Sequence, residues 1–137
     1  MTERICGSCL CGAVAFETLN DFEHLYLCSC SQCQKITGSA FASNLMQSSA
    51  GFSWSKGEEY VYRFKLPERD ITKAFCKICG SGLPYVSGDR LRVTIPAGSL
   101  VGAPKVATRY RIFDSERPDW CADYESMNSV PAFPNQS

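Results

Sequence analysis

Residues 76–80 read Cys-Lys-Ile-Cys-Gly, and residues 9–11 read Cys-Leu-Cys. Thiols two or three positions apart are typical of a zinc knuckle, a short turn in which both sulfurs bind one ion at ~2.3 Å. Gly80 supplies the backbone freedom that such a turn needs. One zinc ion bound by both pairs would hold the start of the chain against its middle. The sequence therefore predicts a four-cysteine structural zinc site that links two distant segments.

Spacing alone does not identify all four thiols of this site. If residues 9–11 are extended, the sulfurs of Cys9 and Cys11 face the same side of the strand. Cys6 and Cys9 are also a pair three positions apart, however. Either Cys6 or Cys11 therefore fits as the partner of Cys9.

A third cluster, residues 28–33, reads Cys-Ser-Cys-Ser-Gln-Cys and offers the thiols of Cys28, Cys30 and Cys33. Three thiolates this close together are most readily kept deprotonated by a cation. The sequence places no fourth ligand nearby, and a zinc ion with three protein ligands and an open position is typical of catalytic sites. We therefore predict a second, catalytic zinc ion at this cluster.

The alternative for this cluster is a second structural zinc ion, whose fourth ligand would be Cys6, Cys121 or water. The single histidine, His24, is expected to be an ordinary surface or half-buried residue. Cys6 and Cys121, when left unassigned, are expected to be buried free thiols.

The donor set of the third cluster indicates the chemistry. Three thiolates donate strongly, so zinc bound by them is a weaker Lewis acid than zinc bound by three histidines. Such an ion is poorly suited to making hydroxide. It is better suited to binding a fourth sulfur from outside the protein as thiolate, the nucleophilic form of a thiol. We predict a small thiol as the guest and a small electrophile, such as an aldehyde, as its reaction partner.

The overall composition excludes several function classes. The chain has 14 basic and 14 acidic residues, whereas nucleic-acid-binding proteins usually carry a basic excess. No apolar run is long enough to cross a membrane. Residues 1–4 lead directly into the cysteine motif and lack the apolar core of a signal peptide. We therefore expect a cytosolic protein with no nucleic-acid or membrane partner.

Two other interpretations of the cysteines are weaker. A disulfide framework is disfavoured because the cysteines number nine, an odd count, and because cytosolic thiols stay reduced. A thioredoxin-type redox motif requires a βαβ pattern, which the sequence lacks.

The hydrophobic pattern favours β-structure. Short apolar or alternating segments are separated by Gly, Pro and Ser, which is typical of a sandwich or barrel-like fold. The predicted strands are 13–18, 22–27, 41–46, 60–64, 71–75, 83–86, 91–95 and 106–113. A short helical turn is predicted over residues 34–37, with Gly38 ending it. We thus predict a mainly β, single-domain, zinc-stapled β-sandwich-like fold over residues 1–137, with little helix.

Two segments are predicted to lack regular structure. Residues 51–57 are interpreted as a surface loop that carries two aromatic side chains, Phe52 and Trp54. Residues from about 114 to 137 are interpreted as an irregular tail because prolines there exclude central strands. Trp120 and Phe133 are expected to anchor this tail on the core.

The cysteine motifs resemble those of the glutathione-dependent formaldehyde-activating enzyme family, which includes the centromere protein V type. The matching segments are 7–14 (Gly-Ser-Cys-Leu-Cys-Gly-Ala-Val), 28–35, 37–41 and 75–80, followed by Ile112-Phe113, Pro118, Trp120 and Pro131-Ala132-Phe133. The sequence departs from the family pattern at Ser29, where many members have His, and at Gln34, where many have Arg. It also departs at Arg111, where the family usually has His before the Ile.

The resemblance implies a fold similar to that of methionine sulfoxide reductase B and the Rab-binding zinc chaperone. It implies two zinc ions per chain, one structural and one catalytic. The structural ligands would be Cys9, Cys11, Cys76 and Cys79, and the catalytic ligands Cys28, Cys30 and Cys33. The implied activity is that of a carbon–sulfur lyase that joins glutathione to formaldehyde reversibly, as an S-(hydroxymethyl)glutathione synthase does.

Glutathione carries two carboxylates, so its binding site needs cations and hydroxyl donors. Lys35 and Ser39 lie close to Cys33 in sequence, and Arg109 and Arg111 share one face of the predicted strand 106–113. These four residues are the candidates for binding the thiol. The alternative for each is a solvated side chain or a turn cap.

A non-enzymatic two-zinc scaffold module is the second function hypothesis. It predicts a sizeable exposed apolar patch, whereas an enzyme predicts a concave pocket beside the second zinc. The sequence does not decide between the enzyme and the scaffold module, nor between a monomer and a homodimer.

Overall fold

The computed structural model describes residues 3–69 and 71–134. Within these ranges the chain forms twelve short strands and one α-helix, which confirms the prediction of a mainly β protein with little helix. The strands are β1 (Arg4–Ser8), β2 (Ala15–Leu19), β3 (Phe22–Cys28), β4 (Ala42–Ser48), β5 (Ser53–Lys56), β6 (Val61–Lys65), β7 (Thr72–Cys76), β8 (Gly82–Leu83), β9 (Tyr85–Val86), β10 (Arg92–Pro96), β11 (Leu100–Val101) and β12 (Val106–Ile112). The helix, α1, is Ser31–Thr37.

The strands form three sheets. The first has the order β11-β1-β2-β5, the second β12-β3-β4-β10-β9, and the third β6-β7-β8. All the pairings are antiparallel except that between β12 and β3, which is parallel and aligns Ile112 with Cys28. The end of β3, where the cysteine cluster 28–33 begins, therefore lies between β12 and β4.

Two buried clusters form the core. The larger one joins the first sheet to the second and consists of Ile5, Phe16, Phe22, Leu45, Val93 and Ile95. The smaller one joins the first sheet to the third and consists of Cys9, Val14, Ala74, Cys76 and Leu83. Trp54 packs against both. Two cysteines of the predicted four-cysteine site, Cys9 and Cys76, thus belong to the smaller core cluster, Cys79 packs against it, and Cys11 is exposed.

Each predicted strand segment overlaps an observed strand. The segment 83–86 is split into β8 and β9 at Pro84, whose backbone has no N–H to donate to a ladder. The strands β1, β5 and β11 were not predicted.

The loop predicted for residues 51–57 is wrong. Residues Ser53–Lys56 form β5, which pairs with β2. Phe52 and Trp54 are half-buried and pack on Phe16, with ring centroids 5.7 and 6.1 Å away. Two aromatic residues at a spacing of two fit a strand with one buried face, because successive side chains alternate between faces.

The predicted anchoring of the tail by Trp120 and Phe133 is also wrong, because these side chains are 64% and 89% exposed. The segment instead forms single turns of 3₁₀-helix at Asp114–Glu116, Asp119–Cys121 and Tyr124–Ser126. Local contacts hold it, among them an ion pair between Arg117 and Asp114 at 2.7 Å.

None of the helices within the described ranges has the length and apolarity needed to cross a bilayer.

Candidate metal centres

The sulfurs of Cys9, Cys11, Cys76 and Cys79 lie within 4.8 Å of one another. The Cys9–Cys11 and Cys11–Cys76 sulfur pairs are 3.6 and 3.9 Å apart. Four thiolates arranged tetrahedrally around zinc at ~2.3 Å are about 3.8 Å apart, so this group fits zinc without rearrangement. The exposed thiol of Cys6 lies outside the group. Cys11, not Cys6, is therefore the partner of Cys9.

Two tight turns, rather than an extended strand, bring these sulfurs together. β1 ends at Ser8, and a backbone hydrogen bond from Gly12 N to Cys9 O (3.1 Å) closes the first turn. The second turn is closed by Gly80 N to Cys76 O at 2.7 Å. The expectation that Cys9 and Cys11 face one side of a strand is therefore wrong. The φ angles of Gly12 and Gly80, 79° and 80°, lie in the left-handed region, which explains the glycines.

Ser81 links the two turns. Its hydroxyl accepts a hydrogen bond from Leu10 N (3.0 Å) and shares one with Cys79 Sγ (3.2 Å). This bond to Ser81 is the largest cause that lowers the pKa of Cys79 to about 5. Cys79 thus offers a thiolate to a metal at neutral pH.

The sulfurs of Cys28, Cys30 and Cys33 form the second group and also lie within 4.8 Å of one another. Cys28 ends β3, Cys30 is the N-cap of α1, and Cys33 lies in the first turn of that helix. The Cys33 N–H donates to Cys30 Sγ at 3.4 Å. No fourth Cys, His, Asp or Glu joins the group among residues 3–69 and 71–134.

The helix that carries Cys33 is longer than the predicted turn. α1 begins at Ser31 and ends at Gly38, whose φ of 66° confirms the glycine as the helix terminator.

Burial and crowding govern the ionisation of these three thiols. Burial raises the pKa of Cys28, and burial together with the two neighbouring thiols raises the pKa of Cys33. Burial also opposes ionisation of Cys30, but hydrogen bonds from the Cys33 amide and the neighbouring thiols outweigh it and lower the pKa of Cys30. One thiolate therefore forms readily and the other two do not. A divalent cation is the group that would let all three ionise together, so the donor set fits zinc.

Contacts from distant segments hold the loop that carries Cys28 and Cys30. Ser29 N donates to Ile112 O (3.1 Å), so β12 extends its pairing to the loop. Gln34 Nε2 donates to Ser29 O (2.8 Å) and to Glu116 O (3.1 Å). The Glu116 carboxylate accepts from Ser31 N at 3.3 Å. The loop of the second cysteine group is thus positioned by β12 and by the segment that follows it.

A cavity of about 170 Å³ adjoins the second group and has Cys33 in its wall. We call it the small cavity. It lies between α1 and strands β4, β7 and β10, and its polar lining includes Asn44, Lys73, Tyr85 and Thr94. The small cavity gives a small molecule access to the neighbourhood of Cys33.

A second cavity, of about 480 Å³, is called here the large cavity. Its walls are Leu27, Ser29, Ala40, Phe41, Arg111, Asp114, Arg117 and residues 121–126. Leu27 and Cys28 are consecutive in β3 and so face opposite sides of the sheet. The side chain of Leu27 in the wall of the large cavity therefore points away from that of Cys28.

The predicted thiol-binding residues are not all near these cavities. Arg111 lines the large cavity, and Arg109 lies two residues before it on the same face of β12. Lys35 and Ser39 are exposed and line neither cavity.

The remaining cysteines and the histidine are placed as follows. Cys6 is exposed, so the expectation of a buried thiol is wrong there, because Cys6 lies on the outer face of β1. Cys121 is half-buried in the wall of the large cavity. Neither joins the second metal group. His24 is half-buried, stacks on Tyr26 and hydrogen-bonds through Nδ1 with Thr108 Oγ1 at 2.6 Å, as an ordinary histidine would.

The sequence interpretation missed Lys73. This residue lies on β7, is half-buried in the wall of the small cavity, and has no hydrogen-bond or ion-pair partner among the described residues. Burial lowers the pKa of its ammonium group. The only signal in the sequence was a charge inside a predicted apolar strand.

Comparisons with known proteins give a family match and a fold match. A family model described as "Glutathione-dependent formaldehyde-activating enzyme" matches residues 4–116. The chain is also similar to the crystal structure of a Rhodobacter sphaeroides protein from the Northeast Structural Genomics programme. The TM-score is 0.58 and the identity 22%, over 77% of this chain and 99% of that one. At this identity the likeness supports the fold alone. A search of curated proteins returned no match.

Proposed function

Because the chain belongs to the glutathione-dependent formaldehyde-activating enzyme family, we propose that it is a zinc-dependent carbon–sulfur lyase. Its reaction joins a small thiol to a small aldehyde, of the glutathione and formaldehyde type, and also reverses that step. The thiol sulfur bonds to the carbonyl carbon as the C=O π bond breaks, and the thiol proton ends on the new hydroxyl oxygen. The reverse reaction breaks the same C–S bond and releases the aldehyde.

One observation carries this proposal, the arrangement of three converging thiols beside a cavity. No fourth protein ligand joins them among the described residues, and one of the three, Cys33, lines the cavity. A zinc ion bound there supplies an open coordination position that favours the thiolate form of a guest thiol. Cys28, Cys30 and Cys33 hold the ion, and the Ser29, Gln34 and Glu116 contacts hold the loop. The four-cysteine group takes the structural zinc.

For the carboxylates of the thiol we propose the residues predicted from the sequence. Lys35 and Ser39 lie on and just beyond α1, the helix that carries Cys33, while Arg109 and Arg111 lie on β12. The large cavity supports the role of Arg111, because Ser29, between two metal-binding cysteines, lines it as well. Its volume falls in the range of small-molecule sites, about 300–1,000 Å³.

All nine cysteines are free thiols, which suits a reducing compartment such as the cytosol.

The test compares wild type with Cys30→Ser. Elemental analysis should find two zinc ions per chain in wild type and one in the variant. Exchange NMR should show that wild type accelerates interconversion of glutathione and formaldehyde with their adduct, and that the variant does not. Wild-type acceleration in a Cys30→Ser protein that has lost one zinc would refute the proposal.

A partner-binding scaffold is the second candidate, favoured by the large exposed side chains in the last part of the described chain. These are Tyr110, Phe113, Trp120, Tyr124, Met127, Val130 and Phe133. Two zinc ions per chain without any acceleration by wild type would favour this scaffold function.

A further inference from the structure

Lys73 lies in the wall of the small cavity, and it makes no ion pair or hydrogen bond with another described residue. Its side chain is half-buried. Withdrawing part of an ammonium group from water without a partner costs free energy. A ligand that brings a negative charge into the cavity would remove this cost.

The surroundings of Lys73 leave room for its ammonium group. Gly82, on the neighbouring strand β8, lies beneath Nζ, and a methyl group added there would be 2.8 Å from Nζ. The same methyl would lie 3.8 Å from Pro96, another wall residue of the small cavity. The absent side chain at position 82 therefore keeps space for the lysine head group at the cavity.

The other lining groups suit a small polar ligand. Asn44, Thr94 and Tyr85 offer amide and hydroxyl groups, and Cys33 connects the cavity to the three-thiol group. A volume of about 170 Å³ holds one arm of a molecule rather than a whole tripeptide. A ligand with a thiol and a carboxylate matches two of the groups in this wall, Cys33 and Lys73.

We propose that Lys73 binds a carboxylate of the thiol substrate, so that the site selects thiols that carry a carboxylate a few bonds from the sulfur. This inference rests on the proposed function, and it adds a binding residue that the cysteine motifs do not contain. Glutathione has two carboxylates, and Lys73 would bind one while the exposed cations near the loop bind the other. A charge-assisted hydrogen bond of this kind is worth ten- to hundredfold in affinity.

The experiment measures thiol binding directly, without turnover. The full-length protein is loaded with Co²⁺, whose absorption bands change when a further thiolate binds the open position. Two matched pairs of thiols are titrated: 3-mercaptopropionate and its amide, and N-(mercaptoacetyl)glycine and its amide. The members of a pair differ only in the negative charge. Cys30→Ser provides the background from the four-cysteine site.

Wild type should bind at least one acid about tenfold or more tightly than its amide. Lys73→Met should weaken binding of the acid to the level of the amide and leave the amide unchanged. Lys73→Arg should keep a preference for the acid. Gly82→Ala should reduce the preference, because the new methyl displaces the ammonium group while the non-left-handed backbone at position 82 accepts alanine.

Equal binding of acid and amide for both pairs in wild type, or an unchanged preference in Lys73→Met, overturns the role of Lys73. Either result leaves the proposed function standing, because the thiols still bind. If no thiol changes the cobalt spectrum of wild type, the proposed function and the role of Lys73 both fail.

Discussion

At the scale of single residues, Gln47 is a polar link between two sheets. Its Oε1 accepts from the Thr18 hydroxyl, and its Nε2 donates to Leu19 O (3.0 Å) and Asp21 O (3.2 Å). Gln47 and Thr18 are both buried. Gln47→Leu would leave the buried Thr18 hydroxyl without this partner and remove the bonds to Leu19 O and Asp21 O, so we expect a loss of about 2–4 kcal/mol in the free energy of unfolding. Urea denaturation of the zinc-loaded protein measures this. The exposed Ser53→Ala should change it by less than about 0.5 kcal/mol. A similar small change for Gln47→Leu would contradict the assigned role.

Glu23 gives stability a pH dependence. Its carboxylate accepts a hydrogen bond from Arg92, and this bond is the main cause of its lowered pKa. A carboxyl group with a lower pKa in the folded state stabilises the fold above its unfolded pKa, about 4.3. That contribution disappears as the pH falls through the folded pKa. Glu23→Gln should therefore lower the Tm modestly at pH 7, and the difference from wild type should vanish in acid. The effect is modest because both side chains are partly exposed.

Thermal unfolding from pH 7 to pH 3 measures the gap between the two proteins. Glu59→Gln is the matched control, since Glu59 has no ion pair in the described part of the chain. A gap for Glu23→Gln that stays constant down to pH 3 would exclude this source of stability.

At the scale of elements, two glycines allow the stability cost of backbone strain to be measured apart from the cost of a steric clash. Gly38 ends α1 and Gly57 follows β5, with φ angles of 66° and 77°. A methyl group at Gly38 meets nothing within 4 Å, whereas at Gly57 it would lie 1.9 Å from Ala13 O. Gly38→Ala should cost about 1–2 kcal/mol from backbone conformation alone. Gly57→Ala should cost clearly more, because β5 must move away from β2.

Denaturant midpoints of the two variants make this comparison. Equal losses would mean that the chain at Gly57 relaxes freely, and that β5 is not held closely against the turn before β2.

The elements differ in how far the sequence predicts them. Strands such as β3 and β10 carry strong apolar patterns and are predicted. β1 is not, because Gly7, one of its two buried positions, has no apolar side chain. The structure gives the reason: a methyl group at Gly7 would lie 2.4 Å from the Phe16 ring, so the glycine makes room for an aromatic side chain of the next strand. A contact of this kind is visible only after the strands pair.

The cysteine groups can likewise be predicted from the sequence more fully than the residues around them. The close pairs within both cysteine groups follow from short spacings, but only the structure selects Cys11 rather than Cys6 beside Cys9. Ser81, Glu116 and Lys73 do not follow from spacing. Each reaches its site through strand pairing or a turn contact between segments far apart in sequence. The ligand geometry is therefore local information, whereas the groups around the ligands depend on the whole fold.

At the scale of the whole molecule, the four-cysteine group connects the first sheet to the third. It shares Cys9 and Cys76 with the smaller core cluster and joins segments 65 residues apart. Cys11→Ser should lose one zinc ion per chain and at least about 3 kcal/mol of stability, because metal binding and folding are coupled. Cys6→Ser is the control, since its exposed thiol lies outside the group. Zinc content and urea denaturation measure both variants. Loss of zinc from Cys6→Ser with retention in Cys11→Ser would reverse the assignment.

The parallel pairing of β12 with β3 governs the order in which the nascent chain can mature. His24 and Thr108 lie side by side although 84 residues separate them. Pairings this distant slow folding, since a long loop must close before they form. The four-cysteine group and the Ser81 contact that links its two turns need the chain only as far as Ser81, whereas the loop of Cys28 and Cys30 also needs Ile112 and Glu116. During translation the first group can therefore load its metal while synthesis continues. The second is completed only after Glu116 has left the ribosome.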